Sequence, residues 1–334
     1  MHTRLLLDAG SGGRAMQELI HSCFQKAFAN PILDTMDDAA LLSALPGRLA
    51  MSTDSYTVTP LFFPGGSIGS LAIHGTVNDV AMLGAKPLYL SCAFILEEGL
   101  ELAVLERVVD DMAKALHKAR VQIVTGDTKV VPKGGCDQIF ITTTGLGSLL
   151  FDDPPSGHKA RPNDAVLVSG TVGDHGLTIM AQREGLHFAS DVRSDSQALH
   201  FMVERLYTAG LSVHVLRDPT RGGLATTLNE IASQSHVGIR IDETRIPISE
   251  SVVSGCSFMG LDPLYLANEG KCLCFVPMDE AEKALSILKE DPCGGDAAII
   301  GHVTEEAGRV ILKTALGGER LLGLLEGSQL PRIC

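Results

Sequence analysis

A chain of 334 residues with 45% hydrophobic and 20% charged residues has the balance of a folded globular protein, and at roughly 150 residues per domain it suits two cores. Its net charge of −13 repels phosphate backbones and anionic lipid surfaces, and no basic stripe offsets it, so neither nucleic acid nor a membrane surface is expected as a partner. No apolar stretch approaches bilayer length, and eight cysteines spread over so long a chain read as free thiols, so a cytoplasmic protein is expected.

In chain order, the glycine-rich segment Gly10-Ser11-Gly12-Gly13 precedes apolar residues at Met16, Leu19, Ile20, Cys23, Phe24, Ala27 and Phe28, the spacing of one helical face. Residues 48–58 and 121–125 are β-rich runs, with Asp54 inside the first and Asp127 just after the second. Between them 67–83 reads as a helix stopped by Gly84 and Pro87, and 102–119 as another. Residues 138–149 return to a strand pattern, and the stretch from Asp152 to Pro162 breaks all periodicity. Beyond it come a buried strand at 165–169, the turn Gly173-Asp174-His175-Gly176 and a helix to about Glu184. Further helices are expected at 195–209, 222–235, 249–259 and 279–289, and strands at 213–216, 271–276 and 298–303. The expected fold is α/β in the mixed α+β sense, with a glycine-rich segment and helix at 1–40, an N-terminal domain at 41–155, a second mixed domain at 160–320 and a tail at 321–334.

The chemistry-bearing pattern is a set of acidic residues in small-residue contexts: Asp37-Asp38-Ala39-Ala40, Thr53-Asp54-Ser55, Asn78-Asp79, Gly126-Asp127-Thr128-Lys129 and Arg217-Asp218-Pro219-Thr220-Arg221-Gly222-Gly223. Any one aspartate could be a cap or a turn residue. Together, at strand ends and helix starts, Asp37, Asp38, Asp54, Asp79, Asp127 and Asp218 would gather Mg²⁺, which prefers hard oxygens and usually shares them with nucleotide phosphates. The chain has no G-x-x-x-x-G-K-[ST] phosphate loop, and Gly10 to Gly13 miss the dinucleotide spacing; glycines before a helix can still cradle phosphate. Cys256, Cys272, Cys274 and Cys293 include no C-x-x-C pair, which favours buried packing over zinc.

The glycine-rich N-terminus, Asp37 to Ala40, His74 to Pro87, Thr125 to Lys129 and Asp218 to Leu224 resemble the ATP-binding framework of the aminoimidazole ribonucleotide synthetase (PurM-like) superfamily. With Gly173 to Gly176, Asn268-Glu269-Gly270 and the terminal Pro331-Arg332-Ile333-Cys334, the chain resembles the carbamoyl dehydratase family of hydrogenase expression/formation proteins E (HypE) over its whole length. The resemblance implies ATP held by Gly10, Ser11, Gly12, Gly13, Asn78, Asp79, Thr125, Gly126, Asp127, Thr128, Arg221, Gly222 and Gly223, with Mg²⁺ on the aspartates. It implies a homodimer, and Lys129 and Glu269 as candidate bases. From the residues alone, Glu269 could equally be a turn carboxylate and His175 a helix-start residue or a nucleotide contact.

The last residue, Cys334, is the expected attachment point for substrate. The tail carries Gly327, Ser328, Gln329 and Pro331, which favour mobility, while Leu330 and Ile333 are able to dock on an apolar groove. Its twelve residues from Gly323 span up to roughly 40 Å when extended, a carrier arm's reach. The resemblance supplies the cargo: a carbamoyl group loaded on Cys334 by a carbamoyltransferase, dehydrated with ATP to a thiocyanate, and passed as cyanide to iron on a scaffold partner. Two other readings fit the same residues: a small-molecule kinase or synthetase of the same superfamily, for which Cys334 is dispensable, and a non-catalytic thiol carrier or metal chaperone.

Overall fold

A helix over 14–28 (α1) starts directly after Gly13, α-helical over Arg14–Leu19, π-wound over Ile20–Gln25 and α-helical again over Lys26–Phe28. Its buried Leu19, Cys23, Phe24 and Phe28 are the apolar face read from the spacing. The computed structural model describes residues 3–45, 47–186, 192–324 and 332–334. The N-terminal domain continues with β1 (Leu49–Tyr56), α2 (Ile68–Met82), β2 (Ala85–Glu97), α3 (Leu102–Ala119), β3 (Gln122–Val131) and β4 (Ile139–Leu149). The sheet order is β1-β4-β2-β3, antiparallel except for β2–β3, whose parallel pairing needs the α3 crossover.

Strand β2 went unread because Gly84 and Pro87 signal a helix stop. They do end α2, yet the chain enters the sheet at once. Pro87 sits where the ladder to β4 shifts register, so its missing N–H interrupts no regular pairing. Strand β3 also outruns its reading: it continues past Thr125 to Val131, which places Asp127 within the strand.

Helix α2 is buried on nearly all sides, 13 of its 15 residues being inaccessible, as a helix wedged between two layers must be. Ser67 caps its start by accepting from the Ser70 amide. Gly75 lets it lie against β1, since a Cβ there would stand 2.4 Å from the Tyr56 hydroxyl.

The second domain holds β5 (Asp164–Val168), α4 (Asp174–Arg183), α5 (His200–Thr208), β6 (Val215–Arg217), α6 (Gly223–Ser235), β7 (Gly238–Asp242), α7 (Glu250–Met259), β8 (Leu273–Pro277), α8 (Ala281–Glu290), β9 (Ala298–Thr304), β10 (Val310–Lys313) and β11 (Glu319–Leu321). These strands form one sheet in the order β11-β10-β7-β9-β5-β8-β6, with β7–β10 its parallel pair. Both faces are covered, by α6 on one side and by α5 and α8 on the other, and Ala81 and Met82 of α2 join the second of these cores. The N-terminal helix thereby fastens the two domains together.

Two expectations are corrected. The helix expected from Asp195 begins at His200; residues 195–199 stay outside it, their polar groups taken by the other domain and by the Glu269 loop. At the start of the tail expected over 321–334, Leu321 ends an edge strand that begins at Glu319, and Leu322 is buried. Gly327, Ser328, Gln329, Leu330 and Pro331 lie outside the described residues, and Arg332 to Cys334 pack against the N-terminal core.

Candidate active site

The pleat of β1 sends Ser52, Asp54 and Tyr56 to the side covered by α2, and Met51, Thr53 and Ser55 to the other. On the covered side, Ser52 Oγ donates to Asp79 Oδ2 at 2.7 Å, and Tyr56 is fully buried with its hydroxyl 3.1 Å from Thr76 Oγ1. Strand β6 ends beside them and delivers Asp218, followed by the turn into α6. Gly222 (φ 76°) and Gly223 (φ 61°) make that turn, and a Cβ on Gly223 would meet the Leu266 carbonyl at 2.5 Å. Ser52, Asp79, Asp218, Thr220 and Arg221 line a cavity of about 680 Å³ between the domains.

The acidic groups here sense one another. Burial lifts the Asp79 carboxyl above its usual range, with Asp54 adding to the rise and Ser52 and Arg221 opposing it. Burial and then Asp79 raise Asp218 to about 7. Glu269 is held well above the carboxylate range by burial, then by Asp218, Asp195, Asp54 and Asp79, and its Oε1 is buried without a hydrogen-bond partner. Arg221 faces Asp54 at 4.0 Å. Clustered hard oxygens with so little fixed positive charge fit a divalent cation that shares them with phosphate. Among the described residues no three His, Cys, Asp or Glu side chains could hold an ion by themselves.

The Asn268-Glu269-Gly270 loop is clamped from three sides. Asn268 Oδ1 accepts from the Gly173 amide at 2.8 Å, and its Nδ2 donates to the Pro219 carbonyl at 3.0 Å. Asp195, unread in the sequence, accepts from the Glu269 amide at 3.0 Å and the Gly270 amide at 3.3 Å, and pairs with buried Lys271 at 3.5 Å. Gly270 is obligatory, because a Cβ would lie 1.8 Å from the Asp195 carbonyl oxygen. Asn78 closes the strap from the other domain, donating to the carbonyls of Gln197 (2.9 Å) and Glu269 (3.3 Å) and accepting from the Leu199 amide (2.8 Å).

The chain end enters this same cleft. Ile333 is buried, and its carbonyl accepts from His175 Nε2 at 2.9 Å. A carbonyl only accepts, so Nε2 carries the proton; Nδ1 then accepts from Ser194 Oγ at 2.8 Å, and burial lowers the pKa of this neutral ring. The Cys334 main-chain oxygen accepts from the Thr57 amide at 3.1 Å. Burial, and next to it Glu269, push the half-buried thiol up to about 12. The structure thus brings Asp54, Asp79, Asp218, Glu269, Arg221 and Cys334 together.

The other expected residues form a second group. Strand register puts Asp127 beside Ala93, Thr142 and Ser55, on the sheet face opposite Asp54, and Lys129 lies on that same far face, ion-paired to Asp127 at 2.8 Å. The Lys129 amine holds the Asp127 carboxyl below its usual range. Asp37, Thr125, Gly126, Asp127 and Thr128 line a cavity of about 190 Å³ against α1, while Asp38 is exposed outside that lining. Gly10 packs on β3, where a Cβ would meet the Val130 amide nitrogen at 2.6 Å; Ser11, Gly12 and Gly13 lead into α1. The six aspartates therefore do not form one cluster, and Lys129 does not meet Glu269 within one chain. Strand parity is the reason: one residue along a strand changes the face.

Residues 36–149 match the family of AIR synthase related proteins, N-terminal domain, and residues 161–313 match its C-terminal domain. The carbamoyl dehydratase HypE of Azotobacter vinelandii is 53% identical over 330 residues, covering 97% of this chain and 96% of that protein. The carbamoyl dehydratase HypE of Escherichia coli K12 is 46% identical over 333 residues, covering 98% of each. Among solved structures, hydrogenase maturation protein HypE in complex with ATP superposes with a TM-score of 0.97 at 62% identity over 99% of this chain and 100% of that one. The HypE–HypF complex superposes at 0.82 and 50% identity over 92% and 99%. Thiamine-monophosphate kinase from Stenotrophomonas maltophilia K279a, at 20% identity and a TM-score of 0.67, shares the fold.

Proposed function

The chain belongs to the HypE carbamoyl dehydratase family of AIR synthase related proteins, and on that premise we propose that it dehydrates a carbamoyl group carried on its own Cys334, consuming ATP, in the maturation of a [NiFe]-hydrogenase. The observation that carries this reading is the docked chain end: Cys334 lies within the electrostatic reach of Glu269, at the acidic cleft between the domains.

In the proposed reaction the carbonyl oxygen of the S-carbamoyl group attacks the γ-phosphorus of ATP and departs as phosphate, while two protons leave the nitrogen, so that S–C(=O)NH₂ becomes S–C≡N and ADP is released. Mg²⁺ held by one or two of the carboxylates of Asp54, Asp79 and Asp218, together with the nucleotide phosphates, would neutralise the transferring phosphoryl charge. The chain's own residues do the rest. Glu269, with its raised pKa, serves as the base for a nitrogen proton, and its unpartnered Oε1 is the atom free to take it. Asn78 and Asp195 hold its backbone, and closure of the cleft by the tail limits water.

Partners follow from the same reading. A carbamoyltransferase loads Cys334, in keeping with a neighbouring structure that pairs HypE with HypF, and an iron-carrying scaffold accepts the cyanide. A second copy covers the open face of the N-terminal sheet, where Leu49, Met51 and Ile95 stand exposed. In such a homodimer Lys129 and the Asp37–Asp127 group enter from across the interface and complete the ATP site. The setting is cytoplasmic; among the described residues no helix is long and apolar enough to cross a membrane.

Mass spectrometry tests the central step. Once Cys334 is carbamoylated, Mg-ATP is expected to remove the mass of one water from the C-terminal peptide. A carbamoyl adduct that persists through ATP hydrolysis would sink the reading.

A further inference from the structure

Lys271 is a buried amine to which the proposed reaction gives no part. It follows the Asn268-Glu269-Gly270 loop directly and leads into β8. Its neighbour Cys272 is fixed to the end of β5, for the Ser169 amide donates to the Cys272 carbonyl at 3.0 Å and the Cys272 amide to Ser169 Oγ at 2.9 Å. Gly170 leaves space for the lysine stem, since a Cβ there would stand 3.0 Å from Lys271 Cε. At the far end of that stem Nζ lies 3.5 Å from Asp195 Oδ2, and the two side chains are only 8% and 3% exposed, so salt and water screen the pair little. Asp174, at the start of α4, also feels this amine: burial raises its pKa, Asp195 adds to the rise, and Thr171 and Lys271 oppose it.

We propose that Lys271 is a positioning residue for the dehydration: as the counter-charge of Asp195 it fixes the backbone of Glu269, so that the Glu269 carboxyl meets the substrate nitrogen from one direction. The proposal rests on the dehydratase reading and deepens it, because it names the group that stands behind the base. Lys271 touches no reacting atom and acts through Asp195, whose Oδ1 accepts from the Glu269 amide at 3.0 Å and whose Oδ2 accepts from the Gly270 amide at 3.3 Å. Bonds to a charged acceptor are roughly twice as strong as neutral ones, and a carboxylate taken into the interior without a counter-charge is strongly destabilising. Gln197 grips the loop from its other side, Nε2 donating to the Gly270 carbonyl at 2.9 Å. The loop is thus held at two successive amides and at a carbonyl, with the amine of Lys271 anchored on the sheet behind it. A misplacement of about 1 Å at a reacting group can cost about 10²-fold in rate, which is the scale on which such a support acts.

The single change Lys271→Met leaves Asp195 as a lone buried charge and endangers the fold. Asp195→Asn combined with Lys271→Met removes both charges together and leaves one accepting oxygen for the two loop amides. In the full-length chain with Cys334 carbamoylated, a single turnover with saturating Mg-ATP is expected to release water roughly 10- to 100-fold more slowly in this double variant than in the parent, at full amplitude. A merely structural role would reduce the amplitude, as the folded fraction falls, and leave the rate constant unchanged. Amide hydrogen exchange of the same chains without ATP is the second measurement: at Glu269 and Gly270 it is expected to quicken by roughly tenfold or more in the double variant, while β8 keeps its protection. A release rate within threefold of the parent, a lost amplitude at an unchanged rate, or unchanged exchange at both amides would each overturn the proposal. If the parent chain itself keeps its carbamoyl group, the dehydratase reading falls instead, and the exchange measurement still decides whether the pair holds the loop.

Discussion

Glu269 draws its chemistry from its surroundings. A surface glutamate ionises well below neutral pH, whereas this one is buried among Asp218, Asp195, Asp54 and Asp79, which raises its proton affinity toward that of a useful base. Glu269→Gln keeps the shape and removes the base. It is expected to lower the rate of dehydration by roughly 10²- to 10⁴-fold with little change in the KM for ATP; single-turnover loss of water measures it, and a rate within tenfold of the parent chain would remove Glu269 from the base role. His175 works at the same scale by a different property. It is neutral, its tautomer is set by the Ile333 carbonyl, and it spends its one proton on the tail while accepting from Ser194. The sequence flagged both residues only as members of motifs. Nothing local distinguishes Glu269 from a turn carboxylate; its partners stand 51 to 215 positions earlier in the chain.

Helix α2 shows how an element carries the site. It is apolar almost throughout, capped by Ser67, and pressed so closely to β1 that the Tyr56 hydroxyl occupies the space of a Gly75 side chain. Tyr56 is fully buried and bonded to Thr76, so it has no room to yield. Gly75→Ala is expected to destabilise the fold by about 1–3 kcal/mol through overpacking, in spite of alanine's better helix propensity; urea unfolding with an unchanged m-value would show it, and a stabilised variant would refute the packing argument. The helix itself was legible, because thirteen buried positions bounded by a serine cap and a glycine leave a local record. The strap at 195–199 was not. Its residues satisfy helical spacing, but Asn78, His74 and the Glu269 loop take up its polar groups. Tertiary hydrogen bonds outweighed a weak local preference.

At the scale of the molecule, Asp127 and Lys129 stand on the sheet face opposite Asp54 and the cleft it shares. If a second copy joins them, each defective chain can supply what the other lacks. Mixing Lys129→Ala with Glu269→Gln chains is expected to restore activity to about a quarter of the parent value, since random pairing of a symmetric dimer leaves about one site in four intact. Recovery is read as water loss from the terminal peptide after mixing and re-association; no recovery above either variant alone would show that Lys129 acts within its own chain or not at all. By itself the sequence determined what is local: the alternation of helices and strands, the glycine and aspartate motifs, and a thiol at the end of a tail with docking residues. Those features depend on side-chain period and turn chemistry, which neighbours in the chain set. Only the tertiary structure decided which aspartates share a cleft, because strand parity and register separate Asp54 from Asp127 across a sheet. It also decided that Cys334 rests at that cleft, held by Thr57 across 277 positions of chain, a contact that no local pattern records.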